Sequence, residues 1–165
     1  MDVLTPEQRR YNMSRIHSKD TKPELIVRKW LWHQGYRYRL HRKDLPGKPD
    51  IVLPKYNAVI FVHGCFWHRH NCKYASSPVT RKEFWEEKLN GNVERDKRNI
   101  QALIKLNWRV LVVWECETKK WDSGMETKIY DFLHSDKYSY DGQNMYDDLH
   151  DKVYIAAEEN PDYSV

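Results

Sequence analysis

Cysteine is scarce here: three residues in 165, an odd number, too few for a disulfide scaffold. That excludes the small disulfide-stapled class and suits a reducing cytoplasm. Long apolar runs are missing as well. The longest, such as Val59-Ile60-Phe61-Val62, fall far short of the roughly 20 residues that a bilayer span needs. No apolar stretch follows the first basic residues, so neither a membrane protein nor a secretory leader is expected. Internal repeats and low-complexity linkers are absent too, and the length fits one domain with a substantial core.

What is present is basic and aromatic. The formal charge is +4, but residues 135–165 carry two Lys/Arg and eight Asp/Glu. Residues 1–134 therefore hold 26 basic and 16 acidic residues, a net of +10. Such a body favours a polyanionic partner through phosphate attraction and counterion release. Seven Trp and eleven Tyr serve a core, and they also suit stacking on bases or wedging between them.

Along the chain, residues 1–20 are polar and read as an arm or short surface helix. Thr21 and Glu24 form a capping-box pair opening a helix to about Gln34, with Gly35 as its stop. Tyr36 to Leu40 alternates as a strand. Leu45-Pro46-Gly47-Lys48-Pro49 is a turn leading into a strand from Asp50 to Leu53, and a hairpin turn at 54–57 returns the chain as a buried strand from Ala58 to His63. Residues 64–78 read as irregular. Thr80 and Glu83 predict a short helix to about Leu89, and Asn92 a second, longer one to about Asn107. Arg109 to Trp114 is a central strand, and a weaker helix covers about 123–134. The expected class is α/β, a mixed sheet flanked by helices.

Three features carry chemistry. A hairpin would bring Asp50, at one strand's start, to His63, at the other's end. Phosphodiester hydrolysis calls for a metal that neutralises charge and activates water. A carboxylate suits magnesium, and a histidine accepts a proton near neutral pH. Asp96 shares the apolar face of Val93, Ile100, Leu103 and Ile104. A carboxylate there needs a partner, and a histidine from 63–70 would be oriented by it; an Arg or a backbone N–H would serve equally. All three cysteines, Cys65, Cys72 and Cys116, fall in or near one cluster with several histidines. Three thiolates and one imidazole make a tetrahedral structural zinc site, and the residue types leave the fourth ligand open among His63, His68 and His70. Phe66 and Trp67 lie inside that loop. In an extended segment they cannot both face inward, so one or both are expected to protrude as a wedge into DNA.

Several blocks together resemble the very-short-patch repair endonucleases, bacterial enzymes that nick DNA at thymine–guanine mismatches. They are residues 12–16 (NMSRI), 45–50 (LPGKPD), 61–68 (FVHGCFWH), 92–96 (NVERD) and 108–116 (WRVLVVWEC), within a similarity covering about residues 8 to 134. The resemblance implies a restriction-endonuclease-like fold akin to the PD-(D/E)xK nucleases but without their second acid and lysine. It assigns Asp50, and Val62 through its carbonyl, to a catalytic magnesium; the valine departs from the threonine that family members can carry there. It matches His63 and His68 to catalytic histidines, with His68 paired to Asp96, and Glu24 to an acidic residue near the metal. It selects Cys65, His70, Cys72 and Cys116 as zinc ligands. Met13, Phe66 and Trp67 match intercalating residues, and Arg9, Arg10 and Arg15 are candidates for holding phosphates. The implied organisation is a DNA-contacting arm at 1–20, an endonuclease domain at 21–134 and an acidic extension at 135–165 without a motif. The implied activity is hydrolysis of one phosphodiester 5′ of the mispaired thymine. The expected setting is a monomer in the bacterial cytoplasm acting on mismatched double-stranded DNA, with repair proteins completing the patch. A restriction-linked nuclease with another sequence context and a non-catalytic zinc-containing DNA-binding module are the competing readings.

Overall fold

A computed structural model describes residues 4–134; the acidic extension at 135–165 lies outside the described residues. Four strands form one mixed sheet in the order β1 (Arg39–Leu40), β2 (Ile51–Leu53), β3 (Ala58–His63), β4 (Arg109–Trp114). The first two pairings are antiparallel and β3 runs parallel to β4, with Ala58 opposite Arg109 and His63 opposite Trp114. The expected α/β class, a mixed sheet between helices, is what the chain adopts.

Strand alternation sorts the core into two layers, because successive side chains point to opposite faces. Val52, Val59, Phe61, Val110, Val112 and Trp114 face α3 (Lys82–Lys105), meeting Val93, Ile100 and Leu103. Ile51, Leu53, Ala58, Ile60, Leu111 and Val113 face α2 (Lys22–His33) and α5 (Ser123–His134), meeting Val27, Leu31, Ile129 and Phe132. β2 to β4 are thus buried on both faces. Arg109 ties the second layer down: its guanidinium donates to the carbonyls of Phe132 (2.6 Å) and Leu133 (3.1 Å) at the end of α5 and to that of Tyr56 (2.7 Å). A cation there complements the carbonyl end of the helix dipole.

Local chemistry explains most elements. Thr5 and Gln8 exchange capping hydrogen bonds (3.2 and 2.9 Å) at the start of α1 (Pro6–Ser14), which buries no residue and is the surface helix expected of the arm. At Leu45–Lys48 the Lys48 N–H closes on the Leu45 carbonyl (3.1 Å). Gly47 sits there at φ +73, where an added Cβ would lie 2.9 Å from Asn99 Cβ, so both the conformation and the space require glycine.

Four expectations are corrected. The helices expected at 80–89 and 92–107 are one, α3. Gly91 costs about 1 kcal/mol in a helix interior, but burial of Leu89, Val93, Ile100 and Leu103 on the sheet side outweighs it. The N-cap position falls on left-handed Arg81 rather than on Thr80, and the Arg81 side chain makes no capping bond. The strand expected from Tyr36 shrinks to Arg39–Leu40, because Tyr36 turns inward against Trp30 and Tyr56 and the Tyr38 hydroxyl donates to the Arg28 carbonyl. The Thr21–Glu24 capping box is half formed: Thr21 Oγ1 accepts the Glu24 N–H, but the Glu24 carboxylate reaches the Asp20 N–H instead. A short helix, α4 (Glu115–Lys119), also follows β4 directly, with Glu117 accepting the Trp114 N–H (2.8 Å). Among the described residues no helix is long and apolar enough to cross a membrane.

Candidate active site

A cleft of about 740 Å³ opens at the ends of β2 and β3. Because β2 and β3 are antiparallel, the start of one lies beside the end of the other. Asp50, Val62 and His63 therefore meet there, joined by Glu24 from the first turn of α2, His68 from the loop after β3 and Asp96 from α3. Lys19, Lys43, Lys48 and Arg95 line the same cleft alongside its carboxylates and offer cations to a phosphate.

At one end, Asp50 Oδ2 accepts the Val62 N–H (2.8 Å) while Oδ1 faces His41 Nδ1 at 3.8 Å. Burial pushes the Asp50 carboxyl up to about 7; the Val62 N–H opposes the shift, Glu24 adds to it and Arg28 opposes it. A carboxylate that costly to charge without a cation, with hard oxygen donors, fits magnesium or manganese.

At the other end, Asp96 is buried and its Oδ2 pairs with His68 Nδ1 at 2.5 Å. The partner that the apolar face of α3 demands is thus a histidine rather than arginine. A carboxylate accepts the Nδ1 proton, leaving Nε2 as the lone-pair nitrogen. The His63 ring stacks flat on His68, centroids 3.8 Å apart and 6° from parallel. Burial holds His63 well below the usual histidine range, and the nearby His68 adds to that shift. Among the described residues its buried Nδ1 has no hydrogen-bond partner, so His63 offers the site a neutral imidazole.

Beside the cleft, Cys65, His70, Cys72 and Cys116 converge with all four candidate ligand atoms within 4.8 Å of one another. Cys65 follows β3, Cys116 opens α4 after β4, and the loop supplies the other two. The His70 ring stacks on Trp114 at 4.3 Å, and its Nδ1 lies 3.4 Å from Cys116 Sγ. Tetrahedral zinc with Zn–S of about 2.3 Å needs donor separations of about 3.8 Å, which this cluster accommodates. Of the three histidines that the residue types left open, His70 stands with the cysteines, whereas His63 and His68 stand with Asp96.

The loop between them is not extended. His68 N–H bonds to the Gly64 carbonyl and Arg69 N–H to that of Phe66. Phe66 and Trp67 are half-buried, centroids 5.1 Å apart, and both pack on Trp85 of α3. The expected outward wedge is therefore not displayed; coiling lets both rings share one aromatic nest. Asn92 Nδ2 ties the Trp67 carbonyl to α3 (3.1 Å). Met13 is exposed on α1 and Arg10 is exposed beside it, while Arg9 donates to the Leu4 carbonyl and Arg15 to the Tyr11 hydroxyl. None of these four lines the cleft, whose arm-side wall is Ile16 to Lys19.

Sequence reasoning missed His41 and Arg28. The signal was register: with Leu40 paired to Ile51, the next residue on each strand brings His41 beside Asp50, and the His41 N–H bonds to the Asp50 carbonyl (3.3 Å).

Residues 1–74 match the family described as DNA mismatch endonuclease Vsr. A type II nicking enzyme of Xanthomonas oryzae, V.XorIIP, is 53% identical over 116 residues, 70% of this chain and 85% of that protein. V.NmeAIP, a type II nicking enzyme of Neisseria meningitidis, is 51% identical over 118 residues, covering 72% and 84% of the two chains. The DNA mismatch endonuclease Vsr of Escherichia coli is 49% identical over 115 residues, covering 70% and 74%.

Proposed function

The chain belongs to the family of the Vsr mismatch endonuclease and the type II nicking enzymes, and from that premise we propose that it nicks one strand of DNA 5′ of the mispaired thymine in a thymine–guanine mismatch. The products are a 5′ phosphate and a 3′ hydroxyl. The observation that carries the reading is the meeting of Glu24, Asp50, Val62, His63, His68 and Asp96 in one cleft that Lys19, Lys43, Lys48 and Arg95 also line. On this reading the helix-flanked sheet is the restriction-endonuclease-like fold and 21–134 is the catalytic domain, with 1–20 as its DNA-contacting arm.

Asp50 and the Val62 carbonyl are assigned to magnesium, with Glu24 nearby. Magnesium bound there supplies charge neutralisation at the phosphate and a more acidic water. His68 takes the proton at Nε2, since Asp96 fixes its Nδ1–H and stabilises the imidazolium that results. His63 stays neutral, so the stacked pair carries one positive charge rather than two. The Cys65–His70–Cys72–Cys116 set holds a structural zinc, because three thiolates leave no open position for chemistry.

The test is a nicking assay on duplexes identical except for a thymine–guanine mismatch or a normal pair at one position, each strand labelled. Magnesium-dependent cutting of the thymine strand at the mismatch is expected. Nicking of paired DNA at a fixed sequence would favour the restriction-linked reading, which the names of the type II nicking relatives support. Absence of cutting on every duplex would leave the non-catalytic module.

Mismatch selection is assigned to Phe66 and Trp67 inserting between base pairs, with Met13 entering from the other groove and Arg9, Arg10 and Arg15 holding phosphates. Opening a stacked step costs a few kcal/mol, roughly, and a mismatch lowers that cost. Insertion exchanges the contacts with Trp85 for base stacking, which contributes about 1–3 kcal/mol per base. Trp67→Ala is expected to keep weak duplex binding while the preference for the mismatch falls about tenfold or more. A fluorescent base analogue beside the mismatch should report less unstacking. Unchanged preference and unstacking would remove Trp67 from the wedge.

A further inference from the structure

Arg28 lies beside the cleft at the centre of a network of which the catalytic assignments use only Glu24. It is only 8% exposed and stands one helical turn after Glu24 on α2. Its Nη1 donates to Asp20 Oδ1 (2.6 Å), and its Nη2 lies 2.6 Å from Glu24 Oε2 and 2.9 Å from His41 Nε2. Asp20, Glu24 and His41 otherwise make a plausible metal-binding set, their ligand atoms all within 4.8 Å of one another. The guanidinium stands at the cation position among them.

Arginine is a donor only, so His41 Nε2 accepts, and that fixes the imidazole as the Nδ1–H tautomer. The Nδ1–H then faces Asp50 Oδ1, 3.8 Å away, while Val62 holds the other oxygen of Asp50. Two residues of this network occupy left-handed backbone, Asp20 at φ 54 and His41 at φ 47. Non-glycine residues are uncommon there, and surrounding contacts must hold them in place. Glu24, 2% exposed, also receives the Asp20 N–H (3.2 Å).

We propose that Arg28 is a resident cation that clamps Asp20, Glu24 and His41 and, through the His41 tautomer, presets Asp50 for its divalent metal while excluding a second metal at Glu24. The proposal rests on the assignment of the catalytic metal to Asp50. Arg28 and His41 are positioning residues: neither is asked to touch DNA or the reacting atoms. The consequence is electrostatic. A fixed guanidinium balances Glu24, so Asp50 is left as the carboxylate offered to the metal at this end.

The experiment uses the zinc-loaded, full-length protein without DNA, counting bound Mn²⁺ by calorimetry and electron paramagnetic resonance, and then measures the Mg²⁺ concentration that half-saturates nicking. The parent is expected to bind one Mn²⁺, lost in Asp50→Ala. Arg28→Met should gain a second Mn²⁺ that Glu24→Gln then removes. It should also raise the half-saturating Mg²⁺ about tenfold, with a smaller change in the saturated rate, and Arg28→Lys should recover most of the shift. His41→Asn, which leaves α2 intact, should raise the Mg²⁺ requirement without adding a second Mn²⁺; it carries the test if Arg28→Met does not fold. Variants that fold with parental Mn²⁺ count and Mg²⁺ requirement overturn the proposal alone. A parent that neither binds Mn²⁺ nor nicks with Mg²⁺ overturns the catalytic assignment and, with it, this one.

Discussion

Asp50→Asn is expected to lower magnesium-dependent nicking by about a thousandfold or more and, in magnesium-free buffer at pH 8, to make the protein more stable. The two effects share one cause. Asp50 is buried at the cleft floor, and burial lifts its carboxyl from 3.8 to about 7. Between those values the folded protein keeps a proton that the unfolded chain has lost. Stability therefore falls as pH rises through that window, and the full cost is present above pH 7. A shift of about three units corresponds to about 4 kcal/mol, so relief of about 2–4 kcal/mol is expected. For a domain of this size that raises the melting temperature by roughly 5–15 °C. Asparagine keeps an oxygen for the Val62 N–H, so the backbone contact survives. Below pH 4 both side chains are neutral and the two proteins should melt together. Melting curves at pH 4, 6 and 8 read the sign directly. A variant that loses nicking yet gains nothing at pH 8 would mean that Asp50 is not charged at a cost in the metal-free protein. A variant that nicks normally would remove Asp50 from catalysis.

Part of this site is legible in the chain because its logic is local. Asp96 recurs with Val93 and Ile100 on one helical face, and a carboxylate there must find a partner; His68 is that partner. The three cysteines are legible by residue type, and they meet because the ends of β3 and β4 come together once those strands pair in parallel. His41 and Arg28 belong to a different order of information. Nothing in residues 36–44 marks His41, whose place depends on the short pairing of β1 with β2 and on a left-handed turn. Arg28 reads as one more basic residue on an amphipathic helix until His41, just past β1, comes to lie against its guanidinium. The continuity of α3 through Gly91 is hidden for a related reason: glycine and asparagine act as local breaks, whereas burial of the inner face of α3 is a tertiary gain that no window of sequence displays. The aromatic pair is the subtlest case. Its expected outward wedge assumed an extended loop, and the turns from Gly64 to His70 change which way each ring points.

Cys72→Ala is expected to release zinc from about one per chain to none and to destabilise the fold more than any change in the cleft. In zinc-finger peptides, structural zinc contributes about 10–16 kcal/mol to folding. Here the sheet has its own core on both faces, so the expected loss is smaller, about 3–5 kcal/mol, or a melting temperature lower by more than about 10 °C. The cluster joins the end of β3, through Cys65, to the start of α4, through Cys116, and closes residues 66–71 into a short loop. That loop carries His68 and Trp67. Without the metal it loses the anchors at both of its ends, and the His68–Asp96 hydrogen bond, the Asn92 contact and the packing on Trp85 then have to order the intervening chain. Nicking and mismatch preference should therefore fall together, although Cys72 touches neither site. Cys72→His separates ligation from the identity of the thiol, because two cysteines and two histidines also make a structural zinc set. It should retain zinc and regain much of the lost stability. Metal analysis, melting curves and limited proteolysis within 66–78 measure the three consequences, with protease sensitivity rising in Cys72→Ala and returning toward the parent in Cys72→His. A parent protein purified without zinc, or a Cys72→Ala variant that melts with the parent, would leave the cysteines as ordinary packed residues and the loop held by its backbone turns, the Asn92 and Asp96 contacts and the packing on Trp85.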